Sequence, residues 1–213
     1  MEIGPNPVDM MIGFSHYDAA RAAIAHLFDQ GYRRIGFVGA RMDPRVQRRL
    51  DGYVAAMKDA GLFDQRLIVA TATPTSVTLG GALFADLLAK SPDMDAVFCA
   101  NDDLALGVLF ECRRRGIAVP EQIAIMGFND LEFMASAVPA LTSVRTNRYE
   151  MGRTAATMLI DAIEGRRPEQ PVLDLGYKVI ERQSAPPRRT DSRPALSGAG
   201  AANKMIALPS GHD

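Results

Sequence analysis

Strand-like apolar runs alternate with amphipathic helical patterns along most of this sequence. In one such unit, Ile35 to Val38 form a buried-type strand that ends at Gly39, and apolar residues at helical spacing follow from Val46 to Met57. Further strand-like runs lie at residues 10–12, 67–69, 96–100 and 123–128. Regular alternation of this kind is typical of a parallel sheet flanked by helices. The sequence therefore predicts an α/β fold.

The pattern changes after Pro139. The later segments are an extended piece at 141–144, a helical pattern at 151–162 and two strand candidates at 172–175 and 178–182. From Pro186 onward, Pro, Arg, Ser, Gly and Ala dominate and no hydrophobic period is sustained. Such a composition predicts a flexible tail.

Composition excludes several classes of function. The formal net charge is -1, so the chain lacks the basic excess of a protein that binds nucleic acid through its phosphates. No apolar run approaches the roughly 20 residues of a membrane span, and no secretory signal precedes the first helix, so we expect a cytoplasmic protein. Cys99 and Cys112 show neither CxxC spacing nor a nearby His cluster, which favours buried free thiols over a metal site.

Polar side chains follow three of the predicted strands. The loop after Gly39 leads to Arg41, Asp43, Arg45, Arg48 and Arg49; the loop after Ala100 to Asn101, Asp102 and Asp103; and the loop after Phe128 to Asn129 and Asp130. The carboxyl ends of parallel strands face a common crevice, where ligands bind in folds of this class. Carboxylates, carboxamides and an arginine fork together suit a polyhydroxylated ligand such as a sugar or sugar acid.

These residues also have a purely structural interpretation. Asn and Asp are favoured helix caps, so Asn101 or Asp102 can begin the following helix, and Asn129 with Asp130 can form a turn. For Asp102 we predict the cap.

Several stretches in order resemble one known family. They are DQGYRRIGFVGA (29–40), RLDGY (49–53), FCANDDLALGVL (98–109), VPEQIAIMGFNDLEF (119–133) and PALTSVRTNRYEMGRTAATMLIDAIEG (139–165). Together they resemble the ligand-binding domain of LacI/GalR transcriptional regulators, which has a periplasmic-binding-protein-like fold. The GFNDLEF segment is similar to that of the gluconate-repressor subgroup.

The resemblance implies which residues bind the ligand. Arg49, Asn101 and Asn129 match positions that contact ligand hydroxyls in the family. The expected ligand-binding set is completed by Asp103 and Asp130 from the same loops and by Glu2 near the crossing between lobes. Most relatives carry Asp where this chain has Asn129, and a carboxamide there removes a negative charge that would repel an anion. Since Arg49 can pair with a carboxylate, we expect a sugar acid.

The resemblance also implies a domain organisation. In the family, a helix-turn-helix headpiece precedes two lobes, whereas here the resemblance begins at the first crossing between lobes. The expected division is a partial N-terminal lobe at 1–14 and 141–175, a complete C-terminal lobe at 15–140 and 176–185, and a flexible tail at 186–213. A partial lobe would leave apolar surface exposed and reduce stability. The residues expected at that surface are Met10, Met11, Val144, Met151, Met158 and Leu159.

The implied function is the sensing of a sugar or sugar acid, without catalysis or cofactor, to modulate operator binding by the intact protein. DNA would be contacted only through the missing headpiece, and no membrane is involved. The family dimerises through the C-terminal lobe, so Leu106, Phe110 and the loop near Ser136 are candidate contacts, although burial in the core explains the two helix residues equally well.

Two other classes of function fit the sequence less well. A free-standing sugar-binding protein shares the two-lobe architecture, but such a protein carries a secretory signal. An enzyme using Asp102, Asp103 or His16 is disfavoured because no nucleophile motif, phosphate loop or GxGxxG accompanies these residues.

Overall fold

A computed structural model of the chain describes residues 9–166 and 171–188. The helices in these ranges are α1 (His16–Asp29), α2 (Pro44–Asp59), α3 (Val77–Lys90), α4 (Asp102–Arg115), α5 (Glu132–Ser136) and α6 (Arg148–Ile163), with a 3₁₀ turn at Gln65–Leu67. The strands are β1 (Met11–Gly13), β2 (Ile35–Ala40), β3 (Ile68–Thr71), β4 (Ala96–Cys99), β5 (Ala124–Asn129), β6 (Thr142–Thr146), β7 (Val172–Asp174) and β8 (Tyr177–Ile180).

Six of these strands form one sheet in the order β3-β2-β4-β5-β6-β8. All neighbours are parallel except β6 and β8, which run antiparallel. Strand β2 is buried throughout, as expected for a parallel strand covered on both faces. The predicted α/β fold, a parallel sheet flanked by helices, is confirmed.

The strand order reverses between β2 and β4. Because β3 lies on one side of β2 and β4 on the other, the connections that leave these two strands diverge. Such a switch point opens a crevice at the carboxyl ends of the strands. The loops after β2 and β4 are the ones that lead to Arg49 and Asn101.

The helices pack in pairs, α1 against α2 and α3 against α4. Glycine permits the second contact, since a Cβ on Gly107 would overlap the Val77 carbonyl oxygen and lie 2.8 Å from the Gly81 nitrogen. The α3 and α4 backbones therefore approach more closely than any side chain would allow.

Strand β6 differs from the domain division predicted from the sequence. That division assigns residues from 141 onward to the partial lobe, but β6 pairs with β5 and β8 in the large sheet. Val144 accordingly has 0% of its surface exposed, so its predicted place on an exposed surface is wrong. A five-residue strand carries too little pattern to reveal which sheet it joins, and the pairing is set by partners far along the chain.

A second, two-stranded sheet joins β1 and β7 in parallel. Helix α6 lies beside β1 and has no buried residue. Its large exposed apolar side chains are Tyr149, Leu159, Ile160 and Ile163. The prediction of exposed apolar surface therefore holds for Leu159, whereas Met10, Met11, Met151 and Met158 are half-buried.

The predicted tail begins with ordered contacts. The Pro186 carbonyl accepts a hydrogen bond from the Tyr32 hydroxyl at 2.9 Å, and the Arg188 backbone N–H donates to the Gln30 carbonyl at 2.8 Å. Pro186 and Arg188 therefore contact the folded part of the chain, whereas the predicted tail from residue 189 onward lies outside the described residues.

Both cysteines are buried and free, as predicted. Across residues 9–166 and 171–188, no helix has the length and apolarity needed to cross a membrane.

Candidate ligand-binding site

The loops at the carboxyl ends of β2 and β5 contain unusual backbone. Among the described non-glycine residues, positive φ occurs at Arg41 (68°), Met42 (43°), Asn129 (115°) and Asp130 (57°). Side chains with a Cβ rarely adopt this region, and such strain is concentrated at functional sites. The strained positions therefore mark the same edge of the sheet as the polar residues predicted from the sequence.

Arg49 lies almost buried beneath this edge, with 6% of its surface exposed. Its Nε donates a hydrogen bond to His16 Nδ1 at 3.2 Å, and its Nη1 donates to the Ala100 carbonyl. The guanidinium carbon lies 3.8 Å from the centre of the Phe128 ring, in cation–π geometry. These contacts hold a positive charge at the junction of the loops after β2, β4 and β5.

His16 is the first residue of α1 and is 3% exposed. Its Nδ1 accepts from Arg49, so the neutral ring carries its proton on Nε2. Burial, with a further contribution from the Arg49 charge, lowers the pKa of His16 to about 3. The ring centre of His16 lies 4.3 Å from the ring centre of Phe14 and 5.9 Å from the ring centre of Phe128. The three rings therefore pack together beside Arg49.

Asn101 caps α4, because its side-chain oxygen accepts from the Leu104 backbone N–H at 3.0 Å. Its amide nitrogen donates to the Thr75 hydroxyl at 2.9 Å, which links the loop after β4 to the loop after β3. Asp103 is half-exposed in the first turn of the same helix. The structure therefore gives Asn101 a capping role and also a position at the crevice.

Asp102 does not cap the helix, so that prediction is wrong. The residue is completely buried, and its carboxylate accepts from the Leu131 backbone N–H and from the Ser143 hydroxyl, each at 2.7 Å. Burial raises the pKa of Asp102. The carboxylate turns away from its own helix and binds the loop after β5.

Asn129 and Asp130 occupy the end of β5 and the loop after it. Within the described residues, the Asn129 carboxamide forms no hydrogen bond, and it is half-exposed. The Asp130 side chain is only 3% exposed and pairs with Arg145 and Arg182, both at 2.7 Å. Asn129 is therefore available to a ligand, whereas the Asp130 carboxylate is already occupied by two guanidinium groups.

Of the six residues predicted to bind a ligand, Arg49, Asn101 and Asn129 are brought to the switch-point edge of the sheet with Asp103 beside them. Asp130 belongs to the supporting ion pairs, and Glu2 lies outside the described residues. His16 was not in the predicted set, although it shortly follows a strand, where the strand-end rule would have found it. Thr75 also lies at a predicted strand end, where its hydroxyl can donate, and it contacts Asn101. No group of side chains in the described part of the chain is arranged to hold a metal ion.

Comparison with known proteins agrees with this architecture. Residues 24–185 match the family described as periplasmic binding protein-like domain. The chain superposes on the transcription regulator GntR from Chromobacterium violaceum with a TM-score of 0.84 at 43% identity, covering 87% of this chain and 68% of that one.

The curated relatives described next are also transcriptional regulators. The chain is 46% identical over 173 residues to the HTH-type transcriptional regulator GntR of Pseudomonas aeruginosa, covering 81% of this chain and 50% of that protein. It is 38% identical over 180 residues to the HTH-type transcriptional regulator IdnR of Escherichia coli, covering 84% and 54%. The chain thus spans about half the length of the curated relatives it matches.

Proposed function

This chain belongs to the LacI family of transcriptional regulators, as part of their periplasmic binding protein-like ligand-binding domain, and on that premise we propose that its crevice binds a sugar acid of the gluconate type. The observation that carries the proposal is the buried Arg49 guanidinium, held at the switch point beside Asn101 and Asn129.

The position of Arg49 favours an anionic ligand. The guanidinium is a planar fork of N–H donors that matches the two oxygens of a carboxylate, and its Nε and Nη1 also contact His16 and the Ala100 carbonyl. A buried cation of this kind interacts more strongly with an anion than an exposed one does, because the surrounding dielectric is lower. Arg49 is therefore the proposed partner of the ligand carboxylate.

The carboxamides suit the rest of such a ligand. Each sugar hydroxyl donates and accepts, and a carboxamide offers both functions without adding charge. Asn129 supplies a hydrogen-bond donor and an acceptor at the end of β5. The amide nitrogen of Asn101 has a second N–H besides the one that donates to Thr75. Because Arg145 and Arg182 pair with Asp130, this carboxylate repels an anion less than an unpaired one would.

In the intact protein, ligand binding would alter operator affinity by favouring one arrangement of the lobes over another. We propose that DNA contact, dimerisation and a cytoplasmic location belong to that intact regulator, and that the chain catalyses no reaction. Phe110 on α4, which is 46% exposed, is the proposed centre of the dimer contact, with Ser136 at its edge.

Calorimetric titration of the chain with gluconate, a related aldonic acid and glucose tests the binding proposal. We expect saturable binding of the acids, with gluconate at least about tenfold tighter than glucose, which corresponds to roughly 1.4 kcal/mol of preference. Equal binding of acid and neutral sugar would refute the acid preference, and no heat from any of the three would refute the proposed function.

A further inference from the structure

We propose that Asp102 is a positioning residue for ligand recognition, which fixes the loop that presents Asn129. The proposal rests on the proposed function of the crevice, because Asn129 is the residue through which Asp102 would act. It assigns Asp102 no contact with the ligand itself.

A connected set of hydrogen bonds joins Asp102 to the Asn129 loop, defined as residues 129–131. One carboxylate oxygen accepts from the Leu131 backbone N–H at 2.7 Å, and the other accepts from the Ser143 hydroxyl at 2.7 Å. The same hydroxyl accepts from the Asp130 backbone N–H at 3.2 Å. Two consecutive backbone N–H groups of the loop are thereby tied, directly or through Ser143, to one buried carboxylate.

The loop needs such support because its backbone is strained. Asn129 and Asp130 both have positive φ, a conformation that non-glycine residues keep only where the surrounding structure holds it. Asp130 is also clamped through its side chain by Arg145 and Arg182. Asn129 thus belongs to a loop in which the backbone N–H groups of the other two residues are held by hydrogen bonds.

The fold makes room for the Asp102 carboxylate. A Cβ on Gly127 would overlap the nearer carboxylate oxygen and lie 2.6 Å from the Met134 side chain. Asn101 already caps α4, so the helix start does not require Asp102. A completely buried carboxylate is costly to keep, and here its hydrogen bonds are directed to the loop after β5 and to β6.

A double-mutant cycle tests whether Asp102 acts through Asn129. Asp102→Ala and Ser143→Ala are each combined with Asn129→Ala, and gluconate affinity is measured by calorimetry. In the natural chain, Asp102→Ala and Ser143→Ala should each weaken gluconate binding about tenfold, the size expected for a misplaced hydrogen bond. In the Asn129→Ala background, each should weaken gluconate binding by less than about twofold. Asp102→Asn keeps the side-chain shape and an acceptor for Leu131, so it should restore affinity to within about threefold of the natural chain.

Asp95→Asn is the matched control. Asp95 also accepts from two backbone N–H groups, those of Arg33 and Arg34, and pairs with Arg188, but it lies at the amino end of β4. This variant should alter gluconate affinity by less than about twofold. Equal losses with and without the Asn129→Ala substitution, or no loss for Asp102→Ala and Ser143→Ala, would overturn the positioning role.

A ligand-free measurement separates this proposal from the proposed function. NMR hydrogen exchange should show the Leu131 amide exchanging at least about tenfold faster in Asp102→Ala, and the Asp130 amide likewise in Ser143→Ala, relative to the Ala100 amide, which donates to the Val38 carbonyl. The Asn129 side-chain amide resonances should shift in both variants and stay in place in Asp95→Asn. If gluconate fails to bind the natural chain, these changes still support the positioning role, and unchanged exchange with unmoved resonances overturns it.

Discussion

The contacts that hold Arg49 include a hydrogen bond to His16, another to the Ala100 carbonyl and the face of the Phe128 ring. Its neighbour Arg48 lies one position away on α2 and is exposed. The two side chains have the same chemistry but differ in burial, which makes them a natural pair for comparing a positioned charge with a solvated one.

Arg49→Gln should weaken gluconate binding about 30-fold or more, because a charge-assisted hydrogen bond contributes roughly 1.5 to 3 kcal/mol. The variant should also lose the preference for gluconate over glucose. Arg48→Gln should leave both quantities within about twofold. Cooperative melting curves first show that both variants are folded, and calorimetry then measures their affinities for gluconate and glucose. An equal effect at both positions would argue against a specific role for Arg49.

His16 makes stability depend on pH. The pKa of an unperturbed histidine ring is 6.5 and that of His16 in the fold is about 3, so between these values the unfolded chain binds a proton that the folded chain does not. Stability from this group is complete above the higher value and is lost as pH falls toward the lower one, at no more than about 1.4 kcal/mol per pH unit.

The free energy of unfolding should therefore fall by up to about 2 kcal/mol between pH 6.5 and about pH 5. Asn at position 16 keeps an acceptor for Arg49 but cannot titrate, so His16→Asn should show a smaller fall. Urea unfolding at the two pH values measures the difference. The same slope in both proteins would show that His16 does not cause the pH dependence.

The positions of the candidate site residues could be predicted from the sequence where position along a strand is enough. Arg49 and Asn101 follow strands and Asn129 ends one, and the edge they share is set by the parallel sheet. The contacts of Asp102 with Leu131 and Ser143 join residues 29 and 41 positions apart, which no local pattern encodes. The occupation of Asp130 by Arg145 and Arg182 could not be predicted for the same reason.

At the scale of elements, the residue that caps α4 has two sets of contacts. Asn101 accepts from the Leu104 N–H as a cap and bonds Thr75 at the crevice. Asp is also a good cap, but it adds a negative charge where an anion is proposed to bind. The two functions of this helix start can therefore be separated by substitution.

Asn101→Ala should cost about 1 kcal/mol of stability and also weaken gluconate binding. Asn101→Asp should keep stability within about 0.5 kcal/mol of the natural chain while weakening gluconate binding about tenfold, because only the cap is preserved. Urea unfolding and calorimetry on the same samples provide both values. Parallel losses of stability and affinity in the two variants would mean that capping alone explains Asn101.

Two helix glycines should respond in opposite directions to alanine. A Cβ on Gly107 would overlap the α3 backbone, so Gly107→Ala should destabilise the chain by about 3 kcal/mol. Gly152 in α6 has nothing within 4 Å, and Gly152→Ala should stabilise by about 0.5 to 1 kcal/mol through helix propensity. Urea unfolding of both variants checks the close α3–α4 contact, and a neutral Gly107→Ala would contradict it.

The elements themselves were largely predictable because buried parallel strands and amphipathic helices have distinct periods. The strand at Thr142–Thr146 was located, but its sheet was not, since pairing with β5 and β8 depends on long-range contacts. The Asp102 cap was predicted wrongly because Asn101 and Asp102 are adjacent and both residue types favour the position.

For the whole molecule, the reversal of strand order between β2 and β4 places the proposed crevice. The strained loops, the buried Arg49 and the half-exposed Asn129 all lie at that edge. The ion pairs of Asp130 connect the same edge to β6 and to the segment after β8. The chain leaves the large sheet after β6, passes through α6 to the two-stranded sheet and returns at β8.

The most direct test of this account is to map gluconate on the chain by amide NMR. Titration should shift the backbone resonances of residues 40–49, 100–103 and 128–131, at the carboxyl ends of β2, β4 and β5, and should leave those of Arg33, Arg34 and Asp95 at the amino ends unchanged. Shifts concentrated at the amino ends, or resonances that do not move at saturating gluconate, would contradict the proposed crevice.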